Sequence, residues 1–152
     1  MKKKLFFLLF IISTITACNE DMVYSKYADI SIVGWERSDS ILFNIPPLKK
    51  SGNYNLVLGT RITNAFPFKS IDVIVEQTVY PKKITYCDTI TCHYFDDNGR
   101  MLGDGISYHQ YLSDVASHTY QQNDSIHIYV RHNMKREILT GITSVGMELN
   151  QK

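Results

Sequence analysis

The first eighteen residues constrain what the rest of the chain can become. Lys2–Lys4 are followed by an unbroken apolar run, Leu5–Ile12, and then by a short segment that ends in Ala17-Cys18. A basic start, a short apolar core and a small residue before the cleavage point are typical of a secretory signal peptide. The apolar run is too short to cross a bilayer, which takes about 20 residues. The pattern therefore predicts an exported protein whose leader, Met1–Ala17, is removed.

The cysteine after Ala17 makes this signal more specific. The segment matches a bacterial lipobox, which has an apolar residue three positions before the cysteine (Ile15), small residues at the next two positions (Thr16 and Ala17) and the cysteine itself (Cys18). The Cys18 thiol would receive a diacylglycerol and its freed amine a third acyl chain, and two or more chains anchor a protein stably. An ordinary signal peptide with a chance cysteine is the alternative. We expect a membrane-anchored lipoprotein of the outer membrane, on its periplasmic face or the cell surface, with no cofactor beyond the lipid on Cys18.

Removal of the leader changes the charge balance. The whole chain has 16 Lys+Arg and 15 Asp+Glu, but Met1–Ala17 carries three of the lysines and no acidic residue, so the remainder has a net charge of about −2. No basic patch is left that could follow a phosphate backbone, which argues against a nucleic-acid partner. The remaining length suits one domain that can bury a real core.

Short β-rich runs separated by turn residues predict an antiparallel β-sandwich, jelly-roll or immunoglobulin-like, of seven to eight strands. It would occupy residues 28–152, after a leader at 1–17 and a tether at 18–27. Tyr108–Gln122 is ambiguous, because Tyr108, Tyr111, Leu112 and Val115 recur at helical spacing, so a helix, an irregular crossover and a strand all stay open. The predicted strands are Ile30–Trp35, Ile41–Ile45, Tyr54–Thr63, Ile71–Tyr80, Ile84–Phe95, Ser125–His132 and Ile142–Leu149. Asn98-Gly99 predicts a hairpin turn after the fifth of these runs.

Cys87 and Cys92 lie five residues apart on one predicted strand. That spacing places their side chains on opposite faces and roughly 16 Å apart, whereas a disulfide needs Cα atoms within about 7 Å. They could pair only if Asp88–Thr91 formed a turn. We therefore expect two free thiols and no zinc site, since zinc needs more ligands than these two.

The chain contains no constellation that predicts catalysis. It lacks the Gly-x-Ser-x-Gly elbow and the local signatures of cysteine proteases. Asp96 and Asp97 precede Asn-Gly, where aspartate caps its own backbone and acts as a turn former. His127 and His132 fall on opposite faces of one strand, and no pair has the helical His-x-x-x-His spacing of zinc enzymes. These observations predict a protein that is not an enzyme and holds no metal.

Aromatic residues are the remaining lead for a binding site. Ten Tyr, seven Phe and Trp35 are a rich supply for this length. In a small sandwich such residues mostly fill the core and pair across strands. The alternative is a face that binds a glycan or a peptide, made by Trp35, Phe66 and Phe68, the last two on a loop. Two glycines have structural interpretations, Gly141 as a turn with positive φ and Gly146 as a closely packed strand position.

Several short motifs occur in a characteristic order. They are Tyr54-Asn55-Leu56 with Arg61, Asp88-Thr89-Ile90, Asp97-Asn98-Gly99, Leu102-Gly103-Asp104-Gly105, His132-Asn133-Met134 and Leu139–Gly146. Together with the lipobox they resemble the gliding motility-associated lipoprotein family GldH of the Bacteroidetes. The likeness covers most of the chain after Cys18. That family often has an acidic residue at the position of Ser144 and a basic one near Glu148, so this chain departs from it at both.

The resemblance implies an envelope lipoprotein needed for gliding, which works beside other gliding lipoproteins and the associated protein-secretion machinery. It implies no enzyme activity and no catalytic residues. Asn19-Glu20-Asp21 is similar to the acidic surface-export signal that follows the lipidated cysteine in that phylum. The resemblance and the residues together predict a non-catalytic scaffold or accessory lipoprotein, with a glycan- or peptide-binding surface lipoprotein as the alternative.

Overall fold

Ten β-strands make up the part of the chain that the computed structural model describes, residues 21–152. They are β1 (Met22–Asp29), β2 (Trp35–Glu36), β3 (Ile41–Ile45), β4 (Gly52–Thr63), β5 (Ser70–Tyr80), β6 (Ile84–His93), β7 (Tyr108–Tyr120), β8 (Ser125–His132), β9 (Ile138–Leu139) and β10 (Ile142–Gln151). Among these residues no helix is long and apolar enough to cross a membrane. The predicted leader and the predicted lipidation site, Cys18, lie outside the described residues.

The eight longer strands form two antiparallel four-stranded sheets. The first has the order β1-β10-β4-β7 and the second β3-β8-β5-β6, while β2 and β9 pair in a small separate ribbon. Inward side chains of both sheets belong to one apolar core. The predicted all-β sandwich is therefore confirmed, with ten strands against the seven or eight predicted.

Period-two alternation explains why β5 is a central strand. Ile71, Val73, Val75 and Val79 are at most 3 % exposed and face the core, whereas Asp72, Ile74, Glu76 and Thr78 between them are more exposed. Side chains of this kind contribute about 1.5–3 kcal/mol each when they are fully buried. β8 follows the same alternation, and both strands occupy nearly the predicted ranges.

The ambiguous segment Tyr108–Gln122 is a strand, β7, which pairs with β4 over its full length. Its pairing shifts by one residue at a bulge, because Leu56 lies opposite Ala116 and Val57 opposite Asp114. Val115 is thus the extra residue. A bulge of this kind reverses which residues of the strand face inward, and it therefore breaks the alternation that identifies a strand in sequence.

The N-terminal boundary of the domain needs correction. The predicted tether, 18–27, is too long, because β1 begins at Met22 and pairs with β10 as far as Asp29 opposite Ser144. The predicted strand Ile30–Trp35 is mostly loop, and only Trp35 enters a strand, β2. Pairing with β10 satisfies the backbone groups of β1, which a solvated tether would leave to water.

Asp96 and the Asn98-Gly99 pair form the predicted turn. The Asp96 Oδ1 accepts the backbone N–H groups of Asn98 (2.9 Å) and Arg100 (2.8 Å), and Gly99 has a φ of 76°. These hydrogen bonds, the one from Arg100 first, hold the pKa of the Asp96 carboxyl below its usual range. The flanking chain makes one bridge only, Phe95 with Met101, so the hairpin is shorter than predicted.

Cys87 and Cys92 are both free, as their spacing predicts. They lie on β6, where Cys87 is exposed and Cys92 is buried in the core. Burial raises the pKa of the Cys92 thiol, which keeps it protonated.

The loops divide between two ends of the sandwich. The Met22 end contains the start of β1, the β3–β4 loop, the β5–β6 turn, the β7–β8 turn and the end of β10. Backbone hydrogen bonds tie its parts together, with Gln151 donating to Asp21 (2.6 Å) and Leu48 donating to Asp124 (2.8 Å). The Asp29 end contains the finish of β1, the start of β7 and the loops around residues 64 and 141.

Candidate interaction surfaces

Trp35, predicted as part of an exposed aromatic platform, is buried and only 2 % exposed. Its Nε1–H donates to the Asp39 carbonyl oxygen at 3.2 Å, and its ring meets His132 edge-on at 5.3 Å between centroids. A tryptophan with its ring enclosed and its one donor satisfied is a core residue. Trp35 therefore cannot serve as a binding face.

His132 is a buried partner of Trp35 and is 0 % exposed. Its Nε2 lies 3.2 Å from the Trp35 carbonyl oxygen, and the Met134 backbone N–H points to its Nδ1 at 3.4 Å. One ring nitrogen therefore donates and the other accepts, which describes a neutral imidazole. Burial lowers the pKa of His132, in keeping with that state.

Phe66 is also buried, at 8 % exposed, while Phe68 is half-buried. The Phe66 ring packs on Phe68 and on Tyr94, at 5.6 and 5.3 Å between centroids. Gly141, with a φ of 85°, lies against the Phe66 backbone, where an added Cβ would come within 2.5 Å of its nitrogen. The turn role predicted for Gly141 is confirmed. Of the three predicted platform residues only Phe68 is partly accessible, so the platform as a whole is wrong.

Among the described residues, histidines and acidic residues do not converge on a metal-binding arrangement. Within residues 21–152 there is no group of three or more His, Cys, Asp or Glu side chains close enough to hold an ion. His127 packs on Tyr80 at 4.8 Å, on the opposite face of β8 from the core residue His132.

The outer face of the first sheet carries a polar cluster that the sequence does not reveal. Tyr27 lies opposite Gly146, which lies opposite Gly59, so the ring covers two glycines in adjacent strands. The Tyr27 hydroxyl donates to Glu148 Oε1 at 3.1 Å and accepts from Gln110 Nε2 at 3.2 Å.

Arg61 lies over the Tyr27 ring and, with Tyr27, Gln110 and Glu148, forms what we call the Tyr27 cluster. Its guanidinium carbon is 4.2 Å from the Tyr27 ring centroid, and its Nε donates to Gln110 Oε1 at 3.0 Å. Burial, with the Glu148 charge second, raises the pKa of Tyr27 to about 12, so the phenol stays a hydrogen-bond donor. The two mid-strand glycines were the available signal, since such glycines mark a close approach.

Gly146→Val is expected to lower the free energy of unfolding by about 1–3 kcal/mol, in the range of overpacked sites. A Cβ at this position would lie 2.5 Å from two carbons of the Tyr27 ring, which confirms the predicted close packing. Chemical denaturation of the two proteins measures the difference.

A double-mutant cycle shows whether contact with the Tyr27 ring causes the loss of stability in Gly146→Val. In a Tyr27→Ala background the ring is gone, and Gly146→Val should then cost far less. An equal cost in both backgrounds would contradict the packing role of Gly146.

Exposed apolar side chains gather at the Asp29 end. Leu102, Tyr108 and Leu112, which are 57, 52 and 56 % exposed, line one cleft of ≈ 570 Å³. Ile106, on the loop between them, is 93 % exposed. We call these four residues the Leu102 cluster. Exposed apolar side chains that are grouped on a surface mark an interaction site more often than single exposed ones do.

The chain is similar in sequence to one family of known proteins. A profile of the family described as GldH lipoprotein matches residues 22–149. The chain is 28 % identical over 146 residues to the gliding motility lipoprotein GldH of Flavobacterium johnsoniae, covering 90 % of this chain and 89 % of that one.

Solved structures give weaker likenesses. A Sulfurospirillum deleyianum protein has a TM-score of 0.44 at 8 % identity, with 85 % of this chain and 98 % of that chain covered. A family 35 carbohydrate-binding module from Clostridium thermocellum has a TM-score of 0.38 at 11 % identity, with 86 % and 90 % covered. At these scores the likeness says nothing about what this chain binds.

Proposed function

Because the chain belongs to the GldH lipoprotein family and is similar to a gliding motility lipoprotein, we propose that it is a non-catalytic accessory lipoprotein of the gliding and associated secretion machinery. In this role Cys18 carries the lipid anchor in the outer membrane, and the folded domain contacts another envelope protein. The contact is made by the Leu102 cluster.

The exposure of the Leu102 cluster is the observation that carries this proposal. Leu102 and Ile106 lie on a loop outside the sheets, so the core does not need them. Such side chains are removed from water only when another surface covers them. Their burial then contributes about 25 cal/mol per Å² of apolar area to the free energy of binding. Tyr108 adds an aromatic residue of the kind enriched at protein–protein contacts.

The position of the cluster supports the same role. It lies at the Asp29 end, where Thr63 pairs with Tyr108. The lipid on Cys18 would instead be connected to the domain at the Met22 end. A surface at the far end of β1 from the lipid is free to meet a partner while the chain stays anchored. Anchoring confines both proteins to one membrane and so raises their local concentration.

Leu102→Asp with Ile106→Asp is expected to remove the contact, since a carboxylate at each position resists burial in an apolar interface. In the native host, gliding should be lost while the lipoprotein keeps its normal cellular amount. After cross-linking and gentle solubilisation, the wild-type chain should co-purify with other gliding or secretion proteins and the double variant should not.

Leu42→Asp is the matched control, because Leu42 is 46 % exposed on β3 and lies outside the cluster. It should leave both gliding and co-purification unchanged. Wild-type partner recovery by the double variant would show that the Leu102 cluster is not the contact surface.

A further inference from the structure

We propose that the Met22 end of the domain rests on the anionic surface of the membrane through Lys49, Lys50, Lys82 and Lys83. The occupant of this surface is a bilayer containing acidic phospholipid headgroups. The inference rests on the lipidation of Cys18 proposed above, and it adds an orientation and a second, electrostatic contact to that anchor.

The reach of the chain brings this end to the membrane. Four residue steps separate Cys18 from Met22, where β1 begins, and an extended chain advances at most about 3.3–3.6 Å per residue. Met22 therefore lies within about 14 Å of the lipid-bearing residue. β1 alone spans eight residues, about 26 Å at strand spacing, so the Asp29 end is held well away.

The lysines stand in two exposed pairs at this end. Lys49 and Lys50 follow β3 in the loop to β4, and Lys82 and Lys83 form the turn between β5 and β6, all four side chains being exposed. β3 and β5 flank β8 in the second sheet, which puts their ends about 10 Å apart at the usual strand spacing. One flat surface can therefore meet both pairs.

Neighbouring acids do little to cancel this charge. Asp124 is 5 % exposed, and its Oδ2 accepts the Gln121 backbone N–H at 2.8 Å. Asp21, next to the start of β1, is exposed and sets one negative charge against the four lysines. At the opposite end, by contrast, Lys135 and Arg136 are followed directly by Glu137, so positive and negative charges lie side by side there.

Apolar side chains lie beside the first lysine pair. Met22 and Val23 are each 43 % exposed, and with Pro46 and Pro47 they line a cleft of ≈ 320 Å³ that Lys49 and Lys50 border. Basic side chains next to exposed apolar ones suit the boundary between headgroups and acyl chains. The attraction of lysine to acidic lipid acts within a Debye length of the surface, about 8 Å at physiological salt. The short connection to Cys18 keeps the lysines near that range.

The test uses the full lipidated chain in vesicles of phosphatidylethanolamine, with or without phosphatidylglycerol. A spin label is placed on Gln122→Cys at the Met22 end or on Ser107→Cys at the Asp29 end, each in a Cys87→Ser background. Broadening of the label signal by a nickel-chelating lipid headgroup measures its distance from the membrane surface.

We expect stronger broadening at position 122 than at 107, and stronger broadening at 122 when phosphatidylglycerol is present. Lys49→Glu with Lys50→Glu, or Lys82→Glu with Lys83→Glu, should reduce the broadening at 122 by about twofold, and high salt should do the same. Lys135→Glu with Arg136→Glu makes the same change of charge at the other end and should have no effect.

Broadening at 122 that is the same with and without phosphatidylglycerol, and unaffected by the lysine variants, would overturn this inference alone. Purified protein without the lipid mass on Cys18 would overturn the anchoring as well. Neither result depends on the Leu102 cluster, so a failure of the proposed partner contact is seen separately.

Discussion

Trp35→Ala is expected to lower the free energy of unfolding by about 3–5 kcal/mol, the usual cost of removing a large buried aromatic side chain. The ring is 2 % exposed and packs on His132, so its loss leaves a cavity that the short β2–β9 ribbon cannot readily close. Urea denaturation followed by circular dichroism of the strand signal measures the change. Fluorescence is unsuitable because Trp35 is the single tryptophan.

Two control variants show whether the loss of stability in Trp35→Ala comes from the loss of the buried ring. Trp35→Phe keeps most of the ring volume but loses the hydrogen bond to Asp39, and it should cost clearly less than Trp35→Ala. Tyr129→Ala, at a side chain that is 43 % exposed on β8, should have a small effect. A Trp35→Ala variant as stable as the wild type would contradict the packing role of the Trp35 ring.

Cys18→Ser is expected to abolish lipid attachment. Lipidation joins the diacylglycerol to the Cys18 sulfur, and a serine hydroxyl does not replace that thiol. Each buried methylene of an acyl chain contributes about 0.8 kcal/mol to membrane binding, so loss of the chains removes nearly all of the anchoring energy. Metabolic labelling with a fatty-acid analogue, followed by recovery of the lipoprotein, measures the attachment.

Cys87→Ser is the matched control, because Cys87 is an exposed free thiol on β6 that no lipidation signal precedes. It should be labelled as strongly as the wild type. Equal labelling of the Cys18→Ser variant would mean that the cysteine after Ala17 occurs by chance, and both the anchor and the membrane orientation would then be wrong.

The fold could be predicted where the alternation of side chains was unbroken. β5 and β8 alternate between core and solvent along their length, and both were found at nearly their true bounds. β7 could not be identified, since Tyr108 and Leu112 are apolar but exposed, which produces a helical spacing with Tyr111, and the bulge at Val115 then reverses the inward face of the strand. The sequence predicts a tether over most of β1 because the pairing of β1 with β10, the last strand described, has no trace in the local sequence.

The surfaces were harder to predict than the strands. Burial of Trp35 depends on the pairing of β2 with β9, which are about a hundred residues apart in the chain. The Tyr27 cluster likewise draws on four strands, and of the residues that it covers only Gly146 was predicted to be closely packed. Exposure of Leu102 and Ile106 follows from a loop that stays outside both sheets, whereas the sequence suggested a regular hairpin there.

The pairing of β1 with β10 also determines how the domain would carry mechanical load. β1 runs from the Met22 end to the Asp29 end, and its partners extend from Asn150 to Ser144. A pull between a lipid at the first end and a partner at the second acts along the strands, while the hydrogen bonds lie across them. All bonds of the β1–β10 ladder are then sheared together and share the force. A pull at right angles would open the same ladder one bond at a time, so the β1–β10 ladder is most resistant to a load between the proposed lipid anchor and the proposed contact surface.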